Sequence, residues 1–266
     1  MLKNKIKEVL DAGGTALGTW INLKSPEACE AAAASGFDFV VIDAEHGGFG
    51  LEDSIEMIRA VEAGGATPVL RLLDSSSVTI QKALEAGAVG IFISEVRTGE
   101  EAARIVRSAK YPTAGIRGFS PFIRATMHGV IDWAEYRDWA EKNIMVWVMV
   151  ENTEAVKNID AILASGVDAI CVGPSDLSMF MGLKGDFLHP NVVREEDRIV
   201  KLAVSRGVDV IADLDCIKEG EATSEEYMEA VRAWQEKGCR IVTMLNDRKC
   251  LTDAYKKTVA KFRESQ

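Results

Sequence analysis

Residues 163–178 read LASGVDAICVGPSDLS. A helix-like stretch stops at Gly166, the residue type that most easily takes the left-handed conformation closing a helix. A short apolar run follows at once. Then Gly173-Pro174-Ser175-Asp176 turns the chain into the next helical stretch. Outward from this segment the same order recurs. Gly36, Gly65, Gly87, Gly166, Gly207 and Gly238 each stand just before an apolar run. Strands are predicted at 17–22, 37–43, 67–72, 89–94, 144–151, 168–173, 208–213 and 240–245. Most are continuously apolar rather than alternating, which suits a parallel sheet covered on both faces.

Amphipathic stretches with start signals lie between them. Ser25-Pro26 opens one, Thr98 with Glu101 forms a capping box, and Thr153 and Ser224 cap two more. Eight strands alternating with helices predict a (β/α)8 TIM barrel, with residues 1–266 as one domain. A doubly wound open sheet is disfavoured, because no G-x-G-x-x-G follows the first strand. Residues 111–143 are long for a connection. They read as a loop over the barrel mouth, rich in aromatic residues, followed by a helix.

The 266 residues are 47% hydrophobic and 27% charged, an ordinary globular balance that excludes disordered, collagen-like and coiled-coil chains. Lys and Arg total 31 against 41 Asp and Glu, a formal net charge of −10. That average field repels polyanions, so nucleic acid and anionic membranes are not expected partners. No apolar run is long enough to span a bilayer, and the first residues lack a signal-peptide apolar core. Five cysteines without a C-x-x-C pair point to reduced thiols and a cytoplasmic chain.

In a barrel of this kind, chemistry belongs at the C-terminal ends of the strands. Asp43, Glu45 and His46 end the second strand, Arg71 the third, and Glu151 the fifth. Gly173, Pro174, Ser175 and Asp176 end the sixth, Asp213 and Asp215 the seventh, and Asn246 and Asp247 the eighth. Glu151 and Asp176 sit on adjacent strands. Like charges so close need a cation, and a hard divalent metal with oxygen ligands is favoured, since no His/Cys cluster has zinc spacing. The alternative is that both acids merely cap helices. His46 beside two carboxylates can serve as a general base; the alternative is a surface histidine. Arg71, inside an apolar strand end, needs a carboxylate from a substrate or from Glu45 or Glu151. The turn at Gly173-Pro174-Ser175 can offer backbone N–H groups to a substrate carboxylate. Lys82 and Lys110 lie in or at the end of helices, which argues against a Schiff-base lysine.

Together these residues resemble the HpcH/HpaI family. The likeness is carried by Ile42-Asp43-Ala44-Glu45-His46, Pro68-Val69-Leu70-Arg71, Ala109-Lys110-Tyr111-Pro112 with Gly115-Ile116-Arg117-Gly118, Val150-Glu151-Asn152-Thr153, Gly173-Pro174-Ser175-Asp176-Leu177-Ser178 and His189-Pro190. It runs from about Gly18 to about Asp247. The resemblance implies a metal-dependent class II pyruvate aldolase on a barrel of the phosphoenolpyruvate/pyruvate type. It also implies a C-terminal helix exchanged between subunits and a homo-oligomer, a hexamer built from dimers. Its metal ligands fall on Glu151 and Asp176, for Mg2+, Mn2+ or Co2+. Its base falls on His46, oriented by Asp43, and its transition-state arginine on Arg71. Glu85 matches the carboxylate that reaches the histidine across a subunit contact, where the family usually has Asp. The substrate carboxylate would meet Ser175.

The chain departs from the pattern at Met149, where many members carry Gln, and at Ile93-Ser94-Glu95-Val96, Ala212-Asp213-Leu214-Asp215 and Leu245-Asn246-Asp247. These changes touch the aldehyde half, for which residues 119–129 and 213–225 are candidate selectors. The expected reaction is reversible cleavage of a 4-hydroxy-2-oxo acid into pyruvate and an aldehyde. A citrate lyase-like acyl-CoA lyase would need a basic cleft for the CoA phosphates, and none is evident. A catalytically silent binding or scaffold protein is the third reading.

Overall fold

The computed structural model describes residues 3–72, 74–214 and 223–266. Eight parallel strands close into a barrel in sequence order. They are β1 (Ala16–Ile21), β2 (Phe39–Asp43), β3 (Thr67–Arg71), β4 (Gly90–Ile93), β5 (Met145–Val150), β6 (Ala169–Val172), β7 (Asp209–Asp213) and β8 (Ile241–Asn246). Six lie inside the predicted runs; β1 and β8 are each displaced by one residue. The helices are α1 (Lys5–Asp11), α2 (Pro26–Ala34), α3 (Leu51–Gly64), α4 (Ser77–Glu85), α5 (Gly99–Ala109), α6 (Trp133–Asn143), α7 (Thr153–Lys157), α8 (Ile159–Leu163), α9 (Pro174–Phe180), α10 (Pro190–Ser205), α11 (Glu225–Glu236) and α12 (Asp247–Glu264).

The local signals act as expected. Gly166 takes φ +91°, and the other five glycines before strands also lie between +73° and +107°. Ser25, Thr98 and Ser224 each accept a backbone N–H at a helix start. At the fourth start the cap is Asn152, which accepts from Ala155 N at 2.8 Å, and Thr153 is the first helical residue.

Strand periodicity then sorts side chains between two cores. Phe39, Val41, Val69, Phe92, Trp147, Cys171, Ile211 and Ile241 fill the barrel interior with Trp20 and Met149. Val40, Ile42, Leu70, Ile91, Val146, Val148 and Ile170 face the helices instead. Large rings fit inside because their neighbours are small. A Cβ on Gly18 would stand 2.2 Å from the Phe39 ring. Phe39 and Phe92 meet Trp147 edge-on at 5.4 and 5.8 Å. Ile6 and Leu10 of α1 join this inner core. The helix, absent from the sequence reading, closes the N-terminal end of the barrel.

The inward series continues past the packed layers. Asp43 follows Val41, Arg71 follows Val69, Glu151 follows Met149, Gly173 follows Cys171, and Asp213 follows Ile211, each two residues on. Polar groups therefore project into the C-terminal mouth by strand parity alone.

One expectation fails. The loop after α5 does not cover the mouth. It leads from a helix to a strand, so it lies at the opposite end, beneath β3 and β4. Arg124 donates to the Ala86 carbonyl at 2.7 Å and pairs with Glu62, both at helix ends that precede strands. Its aromatic residues pack locally, with Phe119 and Tyr111 centred 4.3 and 4.9 Å from Trp133. Residues 119–129 therefore do not line the aldehyde half within their own chain. The helical part of the prediction is met by α6. Among the described residues, no helix is long and apolar enough to cross a membrane.

Candidate active site

Asp43 is the anchor of the mouth. It is fully buried, and its Oδ1 accepts from Arg71 Nε at 2.8 Å while Oδ2 accepts from Arg71 Nη2 at 2.5 Å. Oδ1 also accepts the backbone N–H groups of Glu45 and His46, each at 3.1 Å, and Asn22 Nδ2 donates to Oδ2. Burial by itself would raise this carboxyl; the Arg71 fork and the His46 N–H hold it below the usual carboxylate range. Asp43 thus shapes the turn that carries His46 by accepting its backbone N–H, and the charge of His46 also acts on the Asp43 carboxyl. Arg71 spends its fork on Asp43, a partner the sequence reading had not considered. Its Nη1 remains toward the cavity, 3.3 Å from Glu45 Oε2 and 3.8 Å from Met149 Sδ. The guanidinium lies 4.7 Å over the Trp20 ring, a cation–π contact that keeps it flat against the wall.

Glu151 is 4% exposed and its carboxyl is pushed up to about 7. Burial is the largest cause; the charges of Asp176 and Glu45 add to it, and the N–H of Glu95 opposes it. Glu95 holds a left-handed φ of +55° to aim that N–H at Oε1. Gly173 is required here, since a Cβ would stand 2.8 Å from the Glu151 side chain. Asp176 and Ser175 are exposed in the first turn of α9, where Gly173 offers no side-chain cap to the backbone N–H groups.

Trp20, Asn22, Asp43, His46, Arg71, Met149, Ser175, Asp176, Asp213 and Asn246 are among the residues around a single mouth cavity of about 220 Å³. His46 is exposed at its rim. Sequence reasoning missed Trp20, and it noted Ser94, which donates to Glu45, only as a departure from the family pattern. Their signal was strand parity, since both point inward. Asp215 and most of 213–225 lie outside the described residues. Glu85 ends α4 at the barrel's other end, 2.9 Å from Gln81 Nε2, so only another subunit could bring such a residue to His46. Lys110 is also remote, donating to the carbonyls of Glu141 and Ile144 at 3.2 and 3.4 Å.

Among the described residues, no group of three or more His, Cys, Asp or Glu converges as a metal cage. The donor set is two carboxylates, one deeply buried and each unfavourable to the other. That chemistry fits a hard divalent ion, whose remaining positions suit water and substrate oxygens.

Residues 16–246 match the model of the HpcH/HpaI aldolase/citrate lyase family. The chain belongs to that family. A 5-keto-4-deoxy-D-glucarate aldolase of Citrobacter koseri is 34% identical over 255 residues, covering 96% of this chain and 97% of that protein. A solved HpcH/HpaI aldolase/citrate lyase family protein from Burkholderia cenocepacia superposes with TM-score 0.86 at 30% identity, over 98% of this chain and 100% of the other. An HpcH/HpaI aldolase from Desulfitobacterium hafniense gives TM-score 0.85 at 27% identity, over 97% and 96%. With both solved structures the barrel is shared over nearly its whole length.

Proposed function

We propose that this aldolase cleaves a 4-hydroxy-2-oxo acid reversibly into pyruvate and an aldehyde, at a divalent-metal site formed by Glu151 and Asp176. The observation that carries the reading is that Asp176, one arginine corner and one histidine line a single mouth cavity, with the buried Glu151 side chain packed against Gly173 of its wall. When bound, a metal of this kind supplies Lewis-acid polarisation of the 2-oxo group. The chain's residues supply the rest. His46 takes the proton from the 4-hydroxyl oxygen, the C3–C4 bond breaks, and its electron pair stays on C3 as the pyruvate enolate. Arg71 Nη1 faces the oxygen where that charge collects. The backbone at Ser175 receives the substrate carboxylate, and Met149 packs beside it without the hydrogen bond that glutamine would offer. Solvent returns a proton to C3.

His46→Ala is expected to stop cleavage while Mn2+ still binds, read by pyruvate release and by metal titration of the same preparation. Loss of metal binding together with activity would assign His46 to the metal site instead.

Assembly belongs to the same reading. The 18 residues of α12 bury nothing, yet Leu251, Tyr255, Val259 and Phe262 form an apolar stripe that is 42–66% exposed. Their spacing puts them on one helical face. We assign that face to a second copy of the chain, by exchange of α12 within a dimer from which a hexamer is built. A chain ending at Asn246 is expected to sediment as a smaller species than the full chain. Equal sedimentation of the two would contradict the exchange.

A further inference from the structure

Asn22 stands two residues beyond Trp20, so strand parity turns it into the mouth, where it lines the cavity and is 6% exposed. It is neither a metal donor nor an acid or base. Its Nδ2 donates to Asp43 Oδ2, the same oxygen that receives Arg71 Nη2. Every other polar group of Asn22 is taken by the start of α12. Asn246 Nδ2 donates to its Oδ1, its backbone N–H donates to Asp247 Oδ1 at 2.9 Å, and its carbonyl accepts from Arg248 Nη2 at 2.8 Å. The next N–H, that of Leu23, donates to Asp247 Oδ2 at 3.1 Å.

A strained backbone delivers this grip. Ile241 and Thr243 of β8 face the barrel interior, and by alternation Leu245 would follow them. Instead β8 inserts one extra residue against β1: Gly18 pairs with Thr243, but Trp20 pairs with Asn246. Leu245 takes a left-handed φ of +69°, packs against the outer core, and its carbonyl accepts from Thr19 Oγ1 at 3.0 Å. A branched side chain rarely adopts that backbone, and such outliers persist only where the surroundings enforce them. The result is Asn246 in the mouth. Its Oδ1 accepts the N–H groups of Arg248 and Lys249 at 3.1 and 3.2 Å while its Nδ2 reaches Asn22.

Arg71 is where this matters. Its fork bonds to Asp43 are 2.8 and 2.5 Å long, whereas Nη1, the corner directed at the cavity, has Glu45 Oε2 at 3.3 Å and Met149 Sδ at 3.8 Å. The direction of Nη1 is therefore set by how the Asp43 carboxylate is held. The Glu45 and His46 N–H groups fix Oδ1; among the described residues Asn22 Nδ2 is the one donor on Oδ2 besides Arg71.

We propose, resting on the assignment of Arg71 to the developing enolate, that Asn22 is a positioning residue. It carries the placement of the first turn of α12 to Asp43 Oδ2 and thereby aims Arg71 Nη1. The helix assigned to the subunit contact then bears on turnover as well as on assembly.

The test is exchange of pyruvate methyl protons with D2O, with Mg2+ present, which reads enolate formation without any aldehyde. Asn22→Leu keeps the main-chain contacts with Asp247 and Arg248 and loses both amide bonds. It is expected to lower kcat about tenfold, the order of one hydrogen bond to a charged group, with KM for pyruvate within about twofold of the wild type. In Arg71→Lys, which lacks the fork, the same change should cost less than about twofold, because the two residues act in one line. Arg248→Ala, at an exposed position, should lower kcat about fivefold in the wild type and add nothing in Asn22→Leu. If Asn22→Leu does not fold, Arg248→Ala in the wild type and in Arg71→Lys decides the matter. An unchanged kcat in the variants, a loss carried by KM alone, or equal losses with and without the Arg71 fork would overturn the role of Asn22. Exchange in the wild type that these changes leave untouched sinks that role alone; no exchange in the wild type sinks the pyruvate site and the role of Asn22 with it.

Discussion

Arg71→Ala is expected to lower kcat for pyruvate release by about 10²–10³, the usual cost of removing one donor from a developing oxyanion. The same change should cost about 3–5 kcal/mol of stability, because it strips a fully buried carboxylate of its paired cation. The two losses are separable. Arg71→Lys restores a positive charge beside Asp43 but not the planar fork that leaves Nη1 directed at the cavity. It should recover much of the melting temperature and little of the rate. Equal recovery of both, in steady-state kinetics and thermal unfolding, would reduce Arg71 to a structural ion pair.

Glu151→Gln is the second large effect. The amide keeps an oxygen for the Glu95 N–H, so the loop after β4 stays in place. What disappears is the charge. Pyruvate release should fall by about 10³-fold or more, since several kcal/mol of polarisation by a bound metal would be lost. Far-UV circular dichroism should match the wild type. A variant with near-normal turnover would show that the buried acid is not a ligand.

Most of the fold was legible because parallel strands buried on both faces leave continuous apolar runs, and because a glycine before each run marks where a helix ends. The site was legible for a related reason. Side chains alternate along a strand, so a charged residue two places beyond an inward core residue points into the mouth; Asp43, Arg71 and Glu151 follow this rule. What escaped was contact across the barrel. Trp20 and Asp213 are 193 residues apart, and nothing local in either strand announces their hydrogen bond. The fork between Arg71 and Asp43 escaped as well, because three acids near one arginine give no order of preference until register places Asp43 opposite Arg71. The long loop after α5 was misplaced although topology held the answer, since a segment between a helix and the next strand belongs at the barrel's N-terminal end.

Calorimetric titration of Mn2+ into the wild type, Glu151→Gln and Asp176→Asn, each with pyruvate present, tests whether these two acids hold one metal ion between them. One saturable site is expected in the wild type, lost or severely weakened in both variants, with pyruvate release abolished by a strong chelator and restored by Mg2+, Mn2+ or Co2+. Binding of equal affinity in all three proteins, or turnover that survives the chelator, would contradict it.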